Sequence, residues 1–511
     1  MGQQVLDDSG RFQYGVFPRG AMRILFVASE GLPFSKTGGL ADVVEALPRA
    51  LAAGGHEVAV LLPRYRGTKA VAVAIPSLTV SLGDTLRFPA IVDGGVVQGV
   101  HYWFVDDPEY FERDQLYGVA GKDYPDNAER FALFARAGIE FAKHVWMPEV
   151  IHCHDWQSAL IPVLLRTQYA ADLSVQGLPV VFTIHNMGYH GAFPGETIGK
   201  IGLSPSLLQV DGMEFFGRVN FLKGGIVFSD YLTTVSPRYA QEIQTPEYGH
   251  GLDGVVRSRA GRLVGILNGA DYSAWNPEND KLIAARYSAR DLTGKRACKK
   301  DLLETFGFLA AMMETPLLGI VSRFADQKGF DLIAEAAPEL LQQDLVLVVL
   351  GAGEAKYERL LRDLARRHAG KMAVKVAYDN TLAHKIEAGA DMFLMPSRYE
   401  PCGLNQLYSL RYGTVPVVRA TGGLADTVEP FDSQTGAGTG FTFEAYSAPA
   451  LLEAVRQALA VYGDPETWRM LQSSGMAKDF SWQASALQYA RLYETAWLSR
   501  NRRASRTSNQ G

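Results

Sequence analysis

The amino-acid sequence predicts an α/β protein built from two doubly wound domains, each with a parallel sheet covered by helices on both faces. Short apolar runs of strand length alternate with segments of helical periodicity, and this alternation occurs in two separate series. The two series also share a six-residue motif at the start of a helix. The length of 511 residues accommodates two large domains of this type.

The first series opens with a complete strand–helix–strand unit. A buried strand at 22–28 precedes a loop with two adjacent glycines, and apolar residues then recur at helical spacing from Leu40 to Leu51. Gly54 and Gly55 end this helix. A second helix is predicted at 127–143. The other strands of this series are predicted at 57–62, 102–105, 150–153, 180–184 and 231–235.

The second series repeats the pattern after a loop-rich join. Its strands are predicted at 317–321, 345–350, 375–378, 392–395 and 415–418. The segments predicted along the whole chain are a loose N-terminal extension at 1–21, a first domain at 22–262, a second domain at 263–481, a helix at 482–500 and a disordered tail at 501–511. The tail is predicted to be disordered because it is polar and basic.

The composition argues against nucleic-acid and membrane partners. Apolar residues make up 47% of the chain and charged residues 21%, and 50 basic against 55 acidic residues give a net charge of −5. No global positive field is available to attract nucleic acid or anionic lipid, so any phosphate site must be local. No apolar run approaches the roughly 20 residues that span a bilayer. The three cysteines, Cys153, Cys298 and Cys402, are too dispersed for a disulfide framework, which predicts a cytoplasmic enzyme.

The repeated motif is the first candidate binding feature. Thr37-Gly38-Gly39-Leu40-Ala41-Asp42 recurs as Thr421-Gly422-Gly423-Leu424-Ala425-Asp426. Two glycines at a helix N-terminus expose backbone N–H groups, and the helix dipole favours an anion there. The alternative is a tight turn that needs positive φ. One copy in each domain suggests a cleft approached from both sides, at the carboxyl ends of the strands.

Three cations near strand ends fit the same interpretation. Lys36 precedes the first glycine pair and could reach its anion, or it could be a solvated loop lysine. Arg323 and Lys328 follow the first strand of the second domain. Two cations there suit a diphosphate, since each charge-assisted hydrogen bond contributes roughly 1.5 to 3 kcal/mol. Surface salt bridges are the alternative.

A carboxylate in the second domain is a candidate sugar ligand. Glu400 follows a strand and precedes Gly403 and a helix start at Leu404, so a carboxylate and backbone donors could meet one ligand. The alternative is a charge that favours the helix N-terminus.

Gly351-Ala352-Gly353 lacks the complete glycine fingerprint of dinucleotide-binding folds, so we interpret it as a turn and predict no nicotinamide cofactor.

Three histidines lie at strand ends in the first domain. His152 and His154 share one face of a strand and could be metal ligands, but no second ligand pair has suitable spacing. We therefore predict no metal and favour a polar strand end at which Asp155 and Trp156 line the cleft. His185 ends another strand and should also point into the cleft, unless it is structural.

These motifs resemble those of the bacterial glycogen synthases and the related plant starch synthases. The resemblance covers about residues 22–498. The matching segments are Lys36–Asp42, His154-Asp155-Trp156, His185-Asn186, Asn268-Gly269-x-Asp271, Ser322-Arg323, Gln327-Lys328-Gly329, Glu400–Leu404 and Thr421–Leu424. Departures from the family pattern are Asn405, where threonine is common, and an altered loop at 111–118.

The resemblance implies a glycosyltransferase B fold, in which two Rossmann-like domains face a deep cleft and the last helix returns to the N-terminal domain. It implies a retaining enzyme that needs no cofactor or metal and moves glucose from ADP-glucose to the non-reducing end of glycogen or another α-1,4-glucan. The first domain would lie on the acceptor side and the second on the nucleotide-sugar side. Closure of the domains around the donor is expected.

The resemblance also implies residue roles. Arg323 and Lys328 would neutralise the leaving diphosphate, helped by Lys36 and by backbone N–H groups near Gly39, Gly422 and Gly423. Glu400 would hold glucose hydroxyls and offset positive charge at the anomeric carbon, and His185 would pack beside the sugar. The other residues expected at the substrates are Gly38, Asp42, Asp155, Trp156, Asn186, Asn268, Tyr378 (stacked on adenine), Cys402 (not as a nucleophile), Gly403, Leu404 and Thr421.

Two other functions share features with this one. A sucrose or trehalose-type synthase would share the fold and the phosphate chemistry, but could not extend glycogen. A catalytically silent glucan- or nucleotide-binding protein would have lost Glu400 or a cation, and all three of these residues are present. The choice of ADP-glucose over UDP-glucose follows from family likeness alone. The oligomeric state does not follow from the sequence.

Overall fold

A computed structural model describes residues 20–119 and 121–508 of the chain. The chain divides into two compact units. The first contains the residues up to Leu267 together with those from Trp482 onward, and the second is Asn268–Ser481. The predicted boundary between 262 and 263 lies five residues earlier than this division, because Leu263–Gly265 pairs with Tyr231–Thr234 in the sheet of the first unit.

The first unit is built on a nine-stranded sheet with the order β16-β15-β11-β10-β1-β2-β7-β6-β3. The strands from β16 to β7 in this order are parallel, whereas β6 and β3 are antiparallel additions at one edge. The strands of the unit are β1 (Arg23–Val27), β2 (Glu57–Pro63), β3 (Ala72–Ile75), β4 (Val80–Leu82), β5 (Thr85–Arg87), β6 (Ala90–Val97), β7 (Val100–Asp106), β8 (Gly118–Val119), β9 (Lys122–Asp123), β10 (Val150–His154), β11 (Val180–Ile184), β12 (Ala192–Pro194), β13 (Glu214–Phe215), β14 (Arg218–Asn220), β15 (Tyr231–Thr234) and β16 (Leu263–Gly265).

The helices of the first unit cover both faces of this sheet. They are α1 (Gly39–Ala53), α2 (Pro108–Phe111), α3 (Asn127–His144), α4 (Asp155–Ser158), α5 (Leu160–Arg166), α6 (Thr197–Lys200), α7 (Phe221–Phe228), α8 (Pro237–Glu242) and α9 (Asp253–Ser258), with single 3-10 turns at Pro205–Leu207 and Ala260–Arg262. Helix α1 shows why the sequence folds in this way: its apolar stripe from Leu40 to Leu51 is buried against the sheet, and Gly55, with φ 93°, follows its end.

The second unit contains a six-stranded, wholly parallel sheet with the order β19-β18-β17-β20-β21-β22. Its strands are β17 (Leu317–Val321), β18 (Val346–Gly351), β19 (Met372–Val376), β20 (Met392–Met395), β21 (Val415–Arg419) and β22 (Phe441–Phe443). Its helices are α10 (Thr293–Thr305), α11 (Phe330–Leu340), α12 (Ala355–Arg367), α13 (Asn380–Gly389), α14 (Asn405–Arg411), α15 (Gly422–Thr427), α16 (Ala448–Tyr462) and α17 (Pro465–Met476), with 3-10 turns at Ala310–Glu314 and Asp326–Lys328.

The last helix, α18 (Trp482–Ser508), belongs to the first unit. Trp482, Tyr489 and Tyr493 of this helix are buried in the same apolar cluster as β1, β2 and α1. The prediction of a disordered tail at 501–511 is wrong for residues 501–508, which continue the helix. Extending an existing helix adds a backbone hydrogen bond to the preceding turn for each residue, which favours its continuation. Residues 1–19 and 509–511, which contain most of the predicted extension and the end of the predicted tail, lie outside the described residues.

The predicted fold class is confirmed: both units are α/β, with parallel sheets covered by helices. The antiparallel edge β3–β6 was not predicted. Its apolar pattern is weak, because Val73 is largely exposed and the pairing of β6 with β7 is interrupted by an irregularity between Asp93 and Gly95. None of the described helices is long and apolar enough to cross a membrane.

Candidate functional site

The sequence-predicted residues cluster at one characteristic place in each sheet. In the first unit, β1 lies between β10 and β2, so that the loops after β1 and β10 leave the sheet at the point where strand order reverses. In the second unit, β17 lies between β18 and β20 in the same way. Loops at the carboxyl ends of strands around such a reversal form the usual ligand site of doubly wound sheets. Each unit therefore has a group of the sequence-predicted residues at its own strand reversal.

The glycine loop of the first unit is held by a buried carboxylate. Glu30 is 3% exposed, and its Oε2 accepts hydrogen bonds from the backbone N–H of Thr37 (2.5 Å) and from the Thr37 hydroxyl (2.7 Å). Its Oε1 accepts from the N–H of Gly38 (3.2 Å). Burial raises the pKa of Glu30, while the bonds from Thr37 and Gly38 act in the opposite direction. One side chain thus fixes the backbone that leads into α1.

The cation and the second glycine of this loop are accessible. Lys36 donates to the carboxylate of Asp42 over 2.6 Å, and both side chains are partly exposed. A Cβ atom added to Gly39 would have no heavy atom within 4 Å, so the space beside the start of α1 is open. Gly39 is the first residue of a 15-residue helix. An anion could approach the N-terminus of this helix without displacing protein atoms.

Asp155 and His185 form a connected pair behind this loop. Asp155 has φ 54°, an uncommon conformation outside glycine that aspartate tolerates better than most residues. Its Oδ1 accepts from the N–H of His185 over 2.8 Å, and the backbone N–H of Asn186 also bonds to this carboxylate. Burial raises the pKa of Asp155 to about 7. Burial lowers the pKa of His185 to about 3, so the imidazole is neutral at pH 7.

The remaining histidines of this cluster have protein partners. Nδ1 of His154 lies 2.9 Å from Nε2 of His185. The two ring nitrogens of His152 contact the Thr183 hydroxyl (2.6 Å) and the Tyr493 hydroxyl (2.7 Å). Burial holds the pKa of His152 and of His154 well below the usual histidine value. Within residues 20–119 and 121–508, no group of three or more His, Cys, Asp or Glu side chains could hold a metal ion.

Trp156 and Asn186 are predicted to contact the substrates, but in the structure both side chains make internal contacts. Trp156 is buried against Phe131 and Phe193, with ring centroids 5.0 and 5.8 Å away. A Cβ atom at Gly191 would lie 2.3 Å from the indole ring, so this glycine is required for the packing. The side-chain oxygen of Asn186 accepts from the N–H of Gly188 and shapes the loop after β11.

In the second unit, Lys328 and Glu400 form an ion pair at the carboxyl ends of β17 and β20. Nζ of Lys328 lies 2.6 Å from Oε2 of Glu400, which is 5% exposed. The hydroxyl of Ser397 also donates to Oε2, over 2.9 Å. No hydrogen bond from another described residue reaches Oε1 of Glu400, so this oxygen can accept from a ligand hydroxyl.

The second glycine pair packs directly against this carboxylate loop. Gly422 has φ 46°, and a Cβ atom there would lie 1.9 Å from the carbonyl oxygen of Glu400. A Cβ atom at Gly423 would lie 2.2 Å from the carbonyl oxygen of Cys402. The N–H of Gly423 donates to the carbonyls of Glu400 (3.1 Å) and Pro401 (3.2 Å). The family resemblance implies that this N–H faces a phosphate. In the structure it is instead bonded to these two carbonyl oxygens.

Two predicted ligand residues of the second unit are exposed. The Arg323 side chain is exposed in the loop after β17, and it forms no hydrogen bond or ion pair with another described residue. Tyr378 is 83% exposed in the loop after β19, so its ring is available for stacking. Both side chains can therefore turn toward a ligand without breaking a hydrogen bond or ion pair to another described residue.

Three further predicted residues of this unit are buried, namely Asn268, Cys402 and Thr421, and Gly403 and Leu404 are partly buried. Asn268 is buried, and its side-chain oxygen has no hydrogen-bond partner among the described residues, as expected of a group that awaits a ligand. Burial raises the pKa of the Cys402 thiol to about 12, which makes it a poor nucleophile. Gly403 has φ 72° and precedes Leu404, the residue that caps α14. Thr421 is buried beside the second glycine pair.

Sequence reasoning missed two residues that organise the site, Glu30 and Ser397. Glu30 is a carboxylate three residues after β1 and shortly before the glycine loop. A carboxylate so close to the end of a buried strand, and to backbone N–H groups without helical partners, was a usable signal. Ser397 is a single hydroxyl between β20 and Glu400, and nothing in the local pattern sets it apart from an ordinary loop serine.

Comparisons with known proteins agree across both units. Residues 23–258 match the family model described as the starch synthase catalytic domain, and residues 304–470 match that of glycosyl transferases group 1. The chain is 58% identical to a glycogen synthase of Koribacter versatilis, over 93% of this chain and 98% of that protein. It is 47% identical to one of Syntrophotalea carbinolica, over 93% and 99% of the two chains.

Solved structures give the same result. The catalytic domain of starch synthase IV from Arabidopsis thaliana, bound to ADP and acarbose, is similar with a TM-score of 0.84 and 34% identity, covering 94% of this chain and all of that one. Sucrose-phosphate synthase from Thermosynechococcus elongatus is similar with a TM-score of 0.59 at 18% identity, with the same coverage. This second likeness concerns the fold alone.

Proposed function

Because the chain belongs to the glycogen synthase and starch synthase family of glucosyltransferases and has the glycosyltransferase B fold, we propose that it transfers glucose from ADP-glucose to an α-1,4-glucan. Glucose is added to the non-reducing end of the glucan with retention of anomeric configuration, and ADP is released. The observation that carries this proposal is the placement of Arg323, Lys328 and Glu400 at the strand reversal of the second unit. The starch synthase structure supports the nucleotide assignment because it holds ADP.

The second unit is the nucleotide-sugar side. Arg323 and Lys328 stabilise the negative charge that develops on the diphosphate as the glycosidic bond breaks, which is the main electrostatic task of the reaction. Tyr378 stacks on the adenine ring. Asn268 offers its buried amide oxygen to a glucose hydroxyl, and Cys402 lies beside the sugar without reacting.

Glu400 binds glucose and moderates charge at the anomeric carbon. Lys328 and Ser397 hold its Oε2, which leaves Oε1 for a sugar hydroxyl. The Gly422 and Gly423 backbone supports the Glu400 loop from behind, and a rigid support keeps a catalytic group within the fraction of an ångström that transfer requires. Gly403, Leu404 and Thr421 complete this support.

The first unit is the acceptor side. Lys36 and the open backbone at Gly39 bind a phosphate oxygen, while Asp42, Asp155 and Trp156 belong to the surface that receives the glucan. His185 is neutral and fixed through Asp155, so its backbone carbonyl can face the sugar ring. Gly38 and Asn186 shape the two loops that carry these groups.

Retention is assigned to a front-face reaction. A double displacement of the kind used by retaining glycosidases needs two carboxylates about 5 Å apart. In the front-face route, the departing phosphate oxygen accepts the proton from the attacking 4-hydroxyl as the new C1–O bond forms and the C1–O bond to phosphate breaks. The cations that stabilise this oxygen then matter more than any protein base.

A cytoplasmic location belongs to the same proposal and is supported by three free cysteines.

The direct test is transfer of labelled glucose from ADP-glucose and UDP-glucose, in parallel, onto glycogen, with NMR of the product to assign the new linkage. Arg323→Ala and Lys328→Ala are each expected to lower kcat by about 10²- to 10³-fold. Arg362→Ala and Lys300→Ala, which remove exposed cations from α12 and α10, serve as matched controls with unchanged kcat. Folded Arg323 and Lys328 variants with near-normal turnover would contradict the electrostatic account.

A further inference from the structure

A small cavity lies in the first unit at the edge of the sheet opposite the candidate site. Its volume is about 60 Å³, and its lining residues are Ser229, Asp230, Arg259, Arg262, Ser499 and Arg500. Ser229 and Asp230 directly precede β15, so the cavity lies at the amino end of that strand. The sequence-predicted substrate residues follow the carboxyl ends of the parallel strands. The cavity is therefore separate from the residues of this unit that are proposed to bind substrate.

The lining contains three guanidinium groups and one carboxylate. That carboxylate, Asp230, is already engaged: its Oδ2 accepts from Arg166 (2.6 Å) and from the N–H of Val180 (2.9 Å). Its Oδ1 lies 3.8 Å from Arg500. Because the negative charge of Asp230 is shared with Arg166, a cation outside the cavity lining, the cavity keeps an excess of positive charge.

Protein contacts hold the three guanidinium groups in place. Arg259 donates to the carbonyl of Ser229 over 2.5 Å, and Arg500 donates to the carbonyl of Gln176 over 3.1 Å. Arg262 lies over the ring of Tyr231, with 4.8 Å from its guanidinium carbon to the ring centroid. A guanidinium has five N–H donors in a fixed plane, so the contacts that orient the group also fix the directions of its other donors.

Ser229 provides an independent indication of a ligand. Its side chain is 4% exposed, and its hydroxyl, which lines the cavity, has no hydrogen-bond partner within the described parts of the chain. Buried hydroxyls almost always have a partner. A ligand oxygen in the cavity would supply one, and an anionic oxygen would at the same time face the arginines.

We infer that this cavity is a binding site for a tetrahedral oxyanion, namely inorganic phosphate or the phosphate group of a small metabolite. The volume corresponds to about four water molecules, on the order of 15 Å³ each, which matches one phosphate group rather than a nucleotide. Arginine side chains present paired donors that fit phosphate oxygens. Since Ser499 and Arg500 lie on α18 and the other lining residues do not, the bound anion ties the end of α18 to the sheet.

Isothermal titration calorimetry of the 511-residue chain with inorganic phosphate, at constant ionic strength, tests this site. Arg262→Gln is the principal variant, because Arg262 contacts a ring and its loss leaves the Asp230 ion pairs intact. Its phosphate affinity is expected to fall at least tenfold, the effect of one charge-assisted hydrogen bond. Arg257→Gln is the matched control, an exposed arginine on α9, and should bind as wild type.

Two further measurements make the result decisive. Ser229→Ala keeps the charge and should still weaken phosphate binding severalfold, whereas Arg323→Ala should leave this binding event unchanged. Titration with glucose 6-phosphate in place of inorganic phosphate distinguishes the two sources of the ligand. If the chain binds glucose 6-phosphate and this affinity depends on Arg262, the ligand is a metabolite phosphate. If the chain does not bind glucose 6-phosphate, the ligand is inorganic phosphate. Equal phosphate binding by wild type, Arg262→Gln and Ser229→Ala, or no binding by wild type, would overturn the inference.

Discussion

The two copies of Thr-Gly-Gly-Leu-Ala-Asp have identical sequences and different structural roles. In the first copy, Gly38 has an extended φ of −147°, and Gly39 borders open space at the start of a 15-residue helix. In the second copy, Gly422 has φ 46°, both glycines touch backbone carbonyls of the Glu400 loop, and the helix that follows has six residues. The first copy therefore leaves its backbone accessible at Gly39, whereas the second copy packs against a neighbouring loop.

This difference shows that a motif specifies local conformational options rather than a role. Glycine is needed in the first copy because a ligand is expected to approach its backbone. Glycine is needed in the second copy because a carbonyl oxygen already occupies the position of a Cβ atom. The alternative interpretation of the motif, a tight turn with positive φ, therefore describes Gly422 and does not describe Gly38.

Alanine in the second copy is expected to have the largest effect. Gly422→Ala combines an unfavourable φ with a Cβ atom 1.9 Å from a carbonyl oxygen, so it should destabilise the second unit by more than about 3 kcal/mol. Gly39→Ala is the matched substitution in the first copy, and it should change stability by less than about 0.5 kcal/mol because the added atom meets nothing. Denaturant unfolding of both variants measures the difference; similar losses would refute the contrast.

The first copy should depend on its side-chain clamp. Glu30→Gln keeps the size of the side chain but replaces one acceptor oxygen with an N–H₂ group, which opposes the donors of Thr37 and Gly38. The glycine loop should shift, and kcat should fall about 10- to 100-fold with a smaller change in KM, because misplacement of a catalytic loop acts mainly on the transition state.

The Glu30 prediction has a conservative control. Glu30→Asp keeps both acceptor oxygens and should recover part of the lost kcat if the carboxylate acts by positioning the loop. Loss of folding in Glu30→Gln, monitored by circular dichroism, would indicate a general structural role. A normal kcat in the folded Gln variant would show that the loop does not need the clamp.

The smallest predicted effect concerns the pH dependence of stability. Asp155, beside the first copy, is bonded by backbone N–H groups, and burial raises its pKa to about 7. Between its unfolded pKa near 4 and about 7, the folded state holds a proton that the unfolded state has lost, so stability falls as pH rises. From pH 5 to pH 7 the free energy of unfolding is expected to fall by about 2 kcal/mol through Asp155. Above about pH 8 Asp155 is charged in both states, so its contribution no longer changes with pH.

Asp155→Asn isolates this contribution. Asparagine tolerates the φ of 54° and does not titrate, so the stability of the wild type relative to this variant should decrease from pH 5 to pH 7 and then level off. Denaturant unfolding at pH 5, 6, 7 and 8 measures the difference. A constant or rising difference would show that Asp155 is charged throughout this range.

The alternation of strands and helices could be read from the sequence because buried parallel strands are continuous apolar runs. Strands such as Val180–Ile184 and Leu317–Val321 have the bounds that their apolar runs predict. The β3–β6 edge could not be predicted in this way. Val73 of β3 is exposed, and the pairing of β6 with β7 is irregular between Asp93 and Gly95, so neither strand has a clear apolar period. The end of α18 was missed because a polar, basic composition also fits a disordered tail.

Residue identities alone placed Lys36, Arg323, Lys328 and Glu400 at the carboxyl ends of strands, since strand ends and motif positions are local properties of the chain. The covering of the second glycine pair, and the ion pair that engages Oε2 of Glu400, depend on contacts between segments distant in sequence. The contact of Glu30 with the first glycine loop depends on how the chain folds after β1. Gly422 and Glu400 are 22 residues apart in the sequence. The carbonyl oxygen of Glu400 lies close to the Cα of Gly422 because β20 and β21, the strands that precede these two residues, pair in the sheet. Packing of that kind depends on the whole fold, so no local pattern could reveal which glycine pair is open and which is covered.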